Sequence, residues 1–168
     1  WRKVARTYTA HTGNVFDKLD IDYPSAEELR MWNEDTVTAY GRRNLQLLDS
    51  IAATAGTSYI SDASKAWQRL FLLTRCSTVD IKTVHLVRDG RAVINAYMRK
   101  NNCFSTALRR WAAPALKAFR LKRICGTQNW LTVRYEDLAK DPETVIRGIC
   151  AFLALRFDEN MLNFRDTP

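Results

Sequence analysis

Val84-His-Leu-Val-Arg-Asp-Gly-Arg-Ala-Val-Ile-Asn-Ala-Tyr-Met-Arg99 decides the fold: an apolar run stops at an Arg-Asp-Gly-Arg turn and restarts with helical spacing. The continuous apolar character of Thr83 to Val87 suits a strand covered on both faces, as in a parallel sheet. Asp89-Gly90 supplies the turn, and Ala92 to Lys100 reads as the helix that follows. A strand ending in Arg88 and a helix opening near Arg91 bring two guanidiniums and a helix N-terminus to one point. That is the chemistry of an anion site, and a phosphate fits it.

Outward from this stretch the chain alternates helices and strands. Ser25-Ala-Glu-Glu28 is a capping box that opens a helix to about Gly41, and a second helix runs from about Asn44 to Ala55, closed by Gly56. Thr57 to Ser61 reads as a short strand and Ala66 to Thr74 as a helix. Ser105 caps a long helix to about Cys125, kinked at Pro114 and stopped by Gly126. Trp130 to Arg134 is the third strand, and Asp141 with Pro142 begins a last helix in which Val145, Ile149 and Phe152 recur at helical spacing. The sum is an α/β fold without repeats or low-complexity linkers.

At 168 residues the chain is long enough for one domain with a hydrophobic core. Its net charge of +8 is unevenly placed, because residues 88–123 hold ten Lys/Arg against the single acid Asp89 and the remainder sums to −1. Such asymmetry points to a polyanionic partner: a nucleotide, a sulfated polymer or nucleic acid. No aromatic interleaving or reading motif accompanies the charge, which argues against nucleic acid, and Lys117 to Arg123 also reads as a solvated helix face. No stretch approaches the apolar length of a membrane span, so the chain as given reads as soluble and cytoplasmic, or Golgi-luminal if an anchor lies upstream. Cys76, Cys103, Cys125 and Cys150 lack metal-ligand spacing and read as core thiols.

The Val-Arg-Asp-Gly-Arg-Ala element resembles the 3'-phosphate-binding element of sulfotransferases that use 3'-phosphoadenosine 5'-phosphosulfate (PAPS), in which Pro or Gly follows the Asp. Val133-Arg-Tyr-Glu-Asp-Leu138 followed by Asp141-Pro-Glu-Thr-Val-Ile-Arg-Gly-Ile-Cys-Ala-Phe-Leu153 resembles the same family's next strand, turn and helix. With Ile60-Ser-Asp-Ala-Ser-Lys65 upstream, the resemblance covers roughly Ser58 to Phe164. It implies a three-layer, P-loop-like α/β fold, a single domain with a helical part over 1–57 and a nucleotide-binding core over 58–168.

The resemblance also assigns roles. Arg88 corresponds to the arginine that binds the 3'-phosphate; otherwise it pairs with an acid such as Asp89. Arg91, in the first helical turn, opposes the helix dipole and calls for an anion or carboxylate partner. Asp89 reads as a helix cap. Ala96 stands where the family usually carries a serine that reaches the 3'-phosphate, and Lys100, on the same helix face as Ala92 and Ala96, is either a phosphate ligand or a surface cation. Tyr135 matches the tyrosine that contacts the nucleotide, with a core aromatic as the alternative. Glu136 and Asp137 read as loop and capping groups. Lys65 resembles the lysine that approaches the bridging oxygen or the sulfuryl group, where a cation offsets charge on the leaving phosphate; the alternative is a surface lysine.

The family's Gly/Ser/Thr-rich loop for the 5'-phosphosulfate is not seen, and His11-Thr-Gly-Asn14 lacks its flanking strand. The chain is therefore expected to be an incomplete copy of the fold at both ends, because three strands without the central one leave an apolar edge. The general base is also not visible: His85 lies inside an apolar strand, His11 lacks context, and Glu34 and Asp35 are unranked. The expectation is sulfuryl transfer from PAPS to an acceptor, most simply a hydroxyl, releasing 3'-phosphoadenosine 5'-phosphate (PAP) without a metal. The alternative is a catalytically degenerate nucleotide-binding or scaffolding module.

Overall fold

The structure, a computed structural model, describes residues 2–13, 24–75, 80–100 and 103–163. It forms two compact units, Trp1–Val79 and Asp80–Pro168.

The first unit is helical, with α1 (Arg2–Thr12), α2 (Ala26–Met31), α3 (Glu34–Ala55) and α4 (Trp67–Arg75). The capping box at Ser25 forms as read: the Glu28 N–H donates to Ser25 Oγ at 3.1 Å and the Ser25 N–H donates to Glu28 Oε2 at 2.7 Å. This helix ends at Met31, because Asn33 starts a new one, its Oδ1 accepting the Thr36 N–H at 2.9 Å. The break expected between Gly41 and Asn44 is absent. Both residues are buried along one uninterrupted α3, so Gly41 is a packing position inside the helix. Gly56 closes α3 as expected, in the left-handed conformation (φ 64°) that favours glycine.

Tyr8 of α1 is fully enclosed, and the Thr54 hydroxyl of α3 donates to Thr7 Oγ1 at 2.9 Å. Residues 57–61 do not form the expected strand. The Tyr59 N–H turns back onto Thr57 Oγ1 at 3.2 Å, and no described strand pairs with this segment.

The second unit holds the sheet. Strand β1 (Thr83–Val87) pairs in parallel with β2 (Trp130–Arg134), from Thr83 opposite Trp130 to Val87 opposite Arg134. Their connection carries α5 (Gly90–Met98) and α6 (Phe104–Cys125), which pack together, while α7 (Tyr135–Lys140) and α8 (Pro142–Leu153) follow β2 and contact it. Two described strands stand where three were expected. Burial along β1 alternates, with Val84 39% and Leu86 53% exposed, so the strand is covered on one face instead of two.

Smaller differences concern helix ends. Cys103, not Ser105, is the N-cap of α6, which runs through Pro114 and stops at Gly126 (φ 84°). The α5 helix finishes at Met98, and the Lys100 N–H bonds back to the Tyr97 carbonyl at 3.1 Å in a tighter turn. Lys100 therefore lies past the helix and does not share a helical face with Ala92 and Ala96. Asp141 caps α8 as read, accepting the Thr144 N–H at 3.1 Å.

Cys125 and Cys150 are buried, Cys103 is exposed against its reading as a core thiol, and Cys76 lies outside the described residues. No described helix is long and apolar enough to cross a membrane.

Candidate functional site

Parallel pairing brings the carboxyl ends of β1 and β2 to the same edge. Because Val87 sits opposite Arg134, the next residues, Arg88 and Tyr135, leave the sheet side by side. The Arg88 guanidinium carbon lies 4.7 Å from the centroid of the Tyr135 ring. Both residues are exposed, and among the described residues no carboxylate forms an ion pair with Arg88. Stacking on an aromatic face orients a guanidinium without using its N–H donors. The fork is thus fixed in place with its hydrogen-bonding edge available to an anion from outside.

The two turns are tied a second time. The Asp89 N–H donates to Glu136 Oε1 at 2.9 Å, and this bond is the main cause holding the Glu136 carboxyl below the usual carboxylate range. Glu136 was expected in a loop but lies in the first turn of α7, from where it joins the end of β1 to the start of that helix.

Arg91 is placed differently from the expectation. The Asp89 carboxylate accepts the Arg91 N–H at 2.8 Å, so it caps α5, and Arg91 Nη2 returns to Asp89 Oδ2 at 2.6 Å. The Arg91 side-chain bond, then its backbone bond, bring Asp89 down to about 2. An external anion was expected between two guanidiniums and the helix N-terminus. Instead an internal carboxylate two residues from Arg91 already occupies the positive end of α5, and it takes Arg91 as its partner. Arg88 is the arginine left for a ligand, and the alternative pairing of Arg88 with Asp89 does not occur.

Gly90 has its own reason. A Cβ at this position would lie 2.6 Å from Trp111 Cε2 of α6, so the close approach of α5 and α6 requires glycine here. Further along, Ala96 is exposed on α5 and Lys100 is exposed beyond it.

Lys65 belongs to the first unit. It is exposed and adopts φ 60°, a left-handed conformation uncommon for a residue with a side chain, two residues before α4. The strand expected to lead into it is absent, and a hydrogen-bonded loop takes its place.

The candidate bases separate from one another. His85 is half-buried with its ring 5.3 Å from Trp130, and burial, then the charge of Lys122, lower its pKa. That environment is structural. His11 is exposed at the end of α1, Glu34 pairs with Arg75 at 3.3 Å, and Asp35 lies in the first turn of α3. No group of His, Cys, Asp or Glu among the described residues is arranged to hold a metal ion.

A family model described as the sulfotransferase family matches residues 78–159. Protein-tyrosine sulfotransferase A of Caenorhabditis elegans is 29% identical over 90 residues, an alignment that covers 49% of this chain and 24% of that protein. The chain thus spans about a quarter of the length of this curated relative.

Among solved structures, the sulfotransferase domain from the curacin biosynthetic pathway superposes with a TM-score of 0.59 at 17% identity, covering 95% of this chain and 57% of that one. The sulfotransferase domain from the Synechococcus PCC 7002 olefin synthase gives 0.59 at 20% identity, covering 98% of this chain and 73% of the other. At such identities the likeness speaks to fold, and the fold is the P-loop-like α/β class expected from the sequence.

Proposed function

We propose that the chain is a member of the sulfotransferase family, whose model matches residues 78–159, and that it transfers a sulfuryl group from PAPS to an acceptor hydroxyl. The observation that carries the donor assignment is Arg88, a guanidinium exposed at the carboxyl end of a parallel strand, stacked on Tyr135 and free of any described carboxylate. Ligands of open α/β sheets bind at this edge.

Arg88 takes the 3'-phosphate through charge-assisted hydrogen bonds, and Tyr135 fixes the guanidinium and lies against the nucleotide. Arg91 contributes indirectly, by holding the Asp89 cap and with it the turn that carries Arg88. Lys100 adds a cation to the phosphate environment. Ala96 stands in place of a hydroxyl, so the bond that a serine would make is left to backbone or water.

In the reaction the acceptor oxygen forms a bond to sulfur as the bond from sulfur to the bridging oxygen breaks. PAP departs with the electron pair on its 5'-phosphate, and the acceptor proton goes to a base. Lys65 offsets the charge that develops on the leaving phosphate, a contribution made in the transition state more than in the ground state.

Calorimetry with PAP tests the donor assignment. Removing one charge-assisted bond to phosphate costs about 1.5–3 kcal/mol, so Arg88→Ala should weaken PAP by roughly 10- to 150-fold. Adenosine 5'-phosphate, which has no 3'-phosphate, should be nearly indifferent to the change. Equal PAP affinity in a folded Arg88→Ala variant overturns the assignment, and PAP binding without any transfer by the wild type favours a binding module over an enzyme.

A further inference from the structure

A non-glycine residue persists in the left-handed region only where its surroundings over-determine it. Around Lys65 (φ 60°) those surroundings are a chain of polar contacts running from α3 through the loop to α4. The Ser64 N–H donates to Asp62 Oδ1 at 2.8 Å, and Asp62 Oδ2 accepts Arg69 Nε at 2.6 Å. Arg69 Nη1 donates to Asn44 Oδ1 at 2.6 Å, and the Asn44 amide donates to the Tyr40 carbonyl at 3.0 Å. Arg69 is 7% exposed and Asn44 1%, while Lys65 itself is exposed.

We infer that Arg69 is a positioning residue: anchored on α3 by Asn44 and gripping Asp62, it holds the loop 61–65 in the conformation that presents the Lys65 ammonium. The inference rests on the role given to Lys65 above. A guanidinium suits the task because its rigid fork engages two acceptors in different elements at once, which an ammonium on a flexible stem does not do with fixed geometry. The Asp62 carboxylate is ionised at neutral pH: burial works against its charge, but the Ser64 N–H and hydroxyl and then Arg69 outweigh burial and hold it below the usual range. A displacement of about an ångström at a reacting group costs on the order of 100-fold in rate, so a slack loop would register in turnover before it registered in binding.

The test is a double-mutant cycle on the full chain, reading PAP released from PAPS with water as acceptor. Asp62→Asn keeps the shape of the side chain and removes the charge that Arg69 grips. It should lower kcat about 10-fold with less than about 3-fold change in KM, and Arg69→Lys should do the same. In a Lys65→Ala background, Asp62→Asn should change kcat by less than about 2-fold, because the group it positions is already gone.

Limited trypsin cleavage after Lys65 gives a reading independent of turnover and should be at least about 5-fold faster in Asp62→Asn than in wild type, below the melting temperature of both. If Asp62→Asn lowers kcat by the same factor with and without Lys65, or leaves cleavage after Lys65 unchanged, the positioning role is overturned. Wild-type kcat in Lys65→Ala contradicts the role of Lys65 itself, a different outcome from a failed clamp.

Discussion

Cys103 and Arg88 both owe their chemistry to neighbours that composition does not reveal. Cys103 stands exposed at the N-cap of α6 with its sulfur 3.2 Å from Ser105 Oγ and 3.1 Å from Thr106 Oγ1. Hydrogen bonds from Ser105 first and then Thr106 bring the thiol down from 9.0 to about 7. The thiolate is the reactive form, so iodoacetamide should alkylate Cys103 with a rate that rises from about pH 6 and levels off above about pH 8. A thiol at its ordinary value would keep rising beyond about pH 9. Ser105→Ala should move the plateau upward, and the buried Cys125 and Cys150 should stay unlabelled until the protein unfolds. A rate still climbing at about pH 9 in wild type would contradict the depressed value.

Arg88 illustrates what register adds. A Val-Arg dipeptide closes β2 and another spans the end of β1, so aligning the two would set Arg88 beside Arg134. The observed pairing is offset by one residue and sets it beside Tyr135. Sequence motifs named both residues, but the stacking between them followed from the ladder.

Among the elements, the packing of α5 on α6 gives a sharp expectation. The rigid indole of Trp111 lies where a Cβ on Gly90 would be, at 2.6 and 2.7 Å from its ring atoms. Proline would fit the first helical position by backbone geometry, yet it carries the same Cβ, so Trp111 explains why this chain has Gly where the resembling family accepts either. Gly90→Ala should destabilise the protein by about 1–3 kcal/mol, the usual cost of overpacking, measured by chemical denaturation. Trp111→Leu added to Gly90→Ala should recover part of that loss, and an unchanged midpoint in Gly90→Ala would mean that the helices are not held this closely.

Elements with a local signal were legible in the sequence: the Ser25 capping box, the Gly56 and Gly126 stops, the Asp141-Pro142 start and the strands Thr83–Val87 and Trp130–Arg134. Elements that depend on a distant partner were not. Residues 57–61 have strand composition but no described strand to pair with, and the α2 to α3 junction is set by the Asn33 cap inside a run that reads as continuous helix. The Arg69–Asp62–Asn44 contacts were missed for the same reason, since buried polar partners leave no periodic trace.

Across the whole molecule, charge is segregated. Residues 88–123 carry ten cations and one acid, and α6 within them has six cations and no acid. Some of this reads as a solvated helix face, but a field of one sign also gathers anions toward the edge where Arg88 stands. The two readings differ in kinetics. If the field steers a polyanionic nucleotide, raising the ionic strength from about 0.05 to about 0.5 M should slow PAP association by about 10-fold while dissociation changes by less than about 2-fold. Arg120 and Arg123 are exposed on α6, and neither is assigned a contact with the nucleotide. Arg120→Gln with Arg123→Gln should therefore reduce the association rate about 2- to 5-fold at low salt, leave dissociation unchanged, and lose its effect at about 0.5 M salt, where the screening length falls to a few ångströms. Stopped-flow binding of a fluorescent PAP analogue separates the two rates. Association that is indifferent to salt and to both substitutions would assign the basic face of α6 to solvation alone, and the whole electrostatic contribution to nucleotide capture would then rest on Arg88 and the groups beside it.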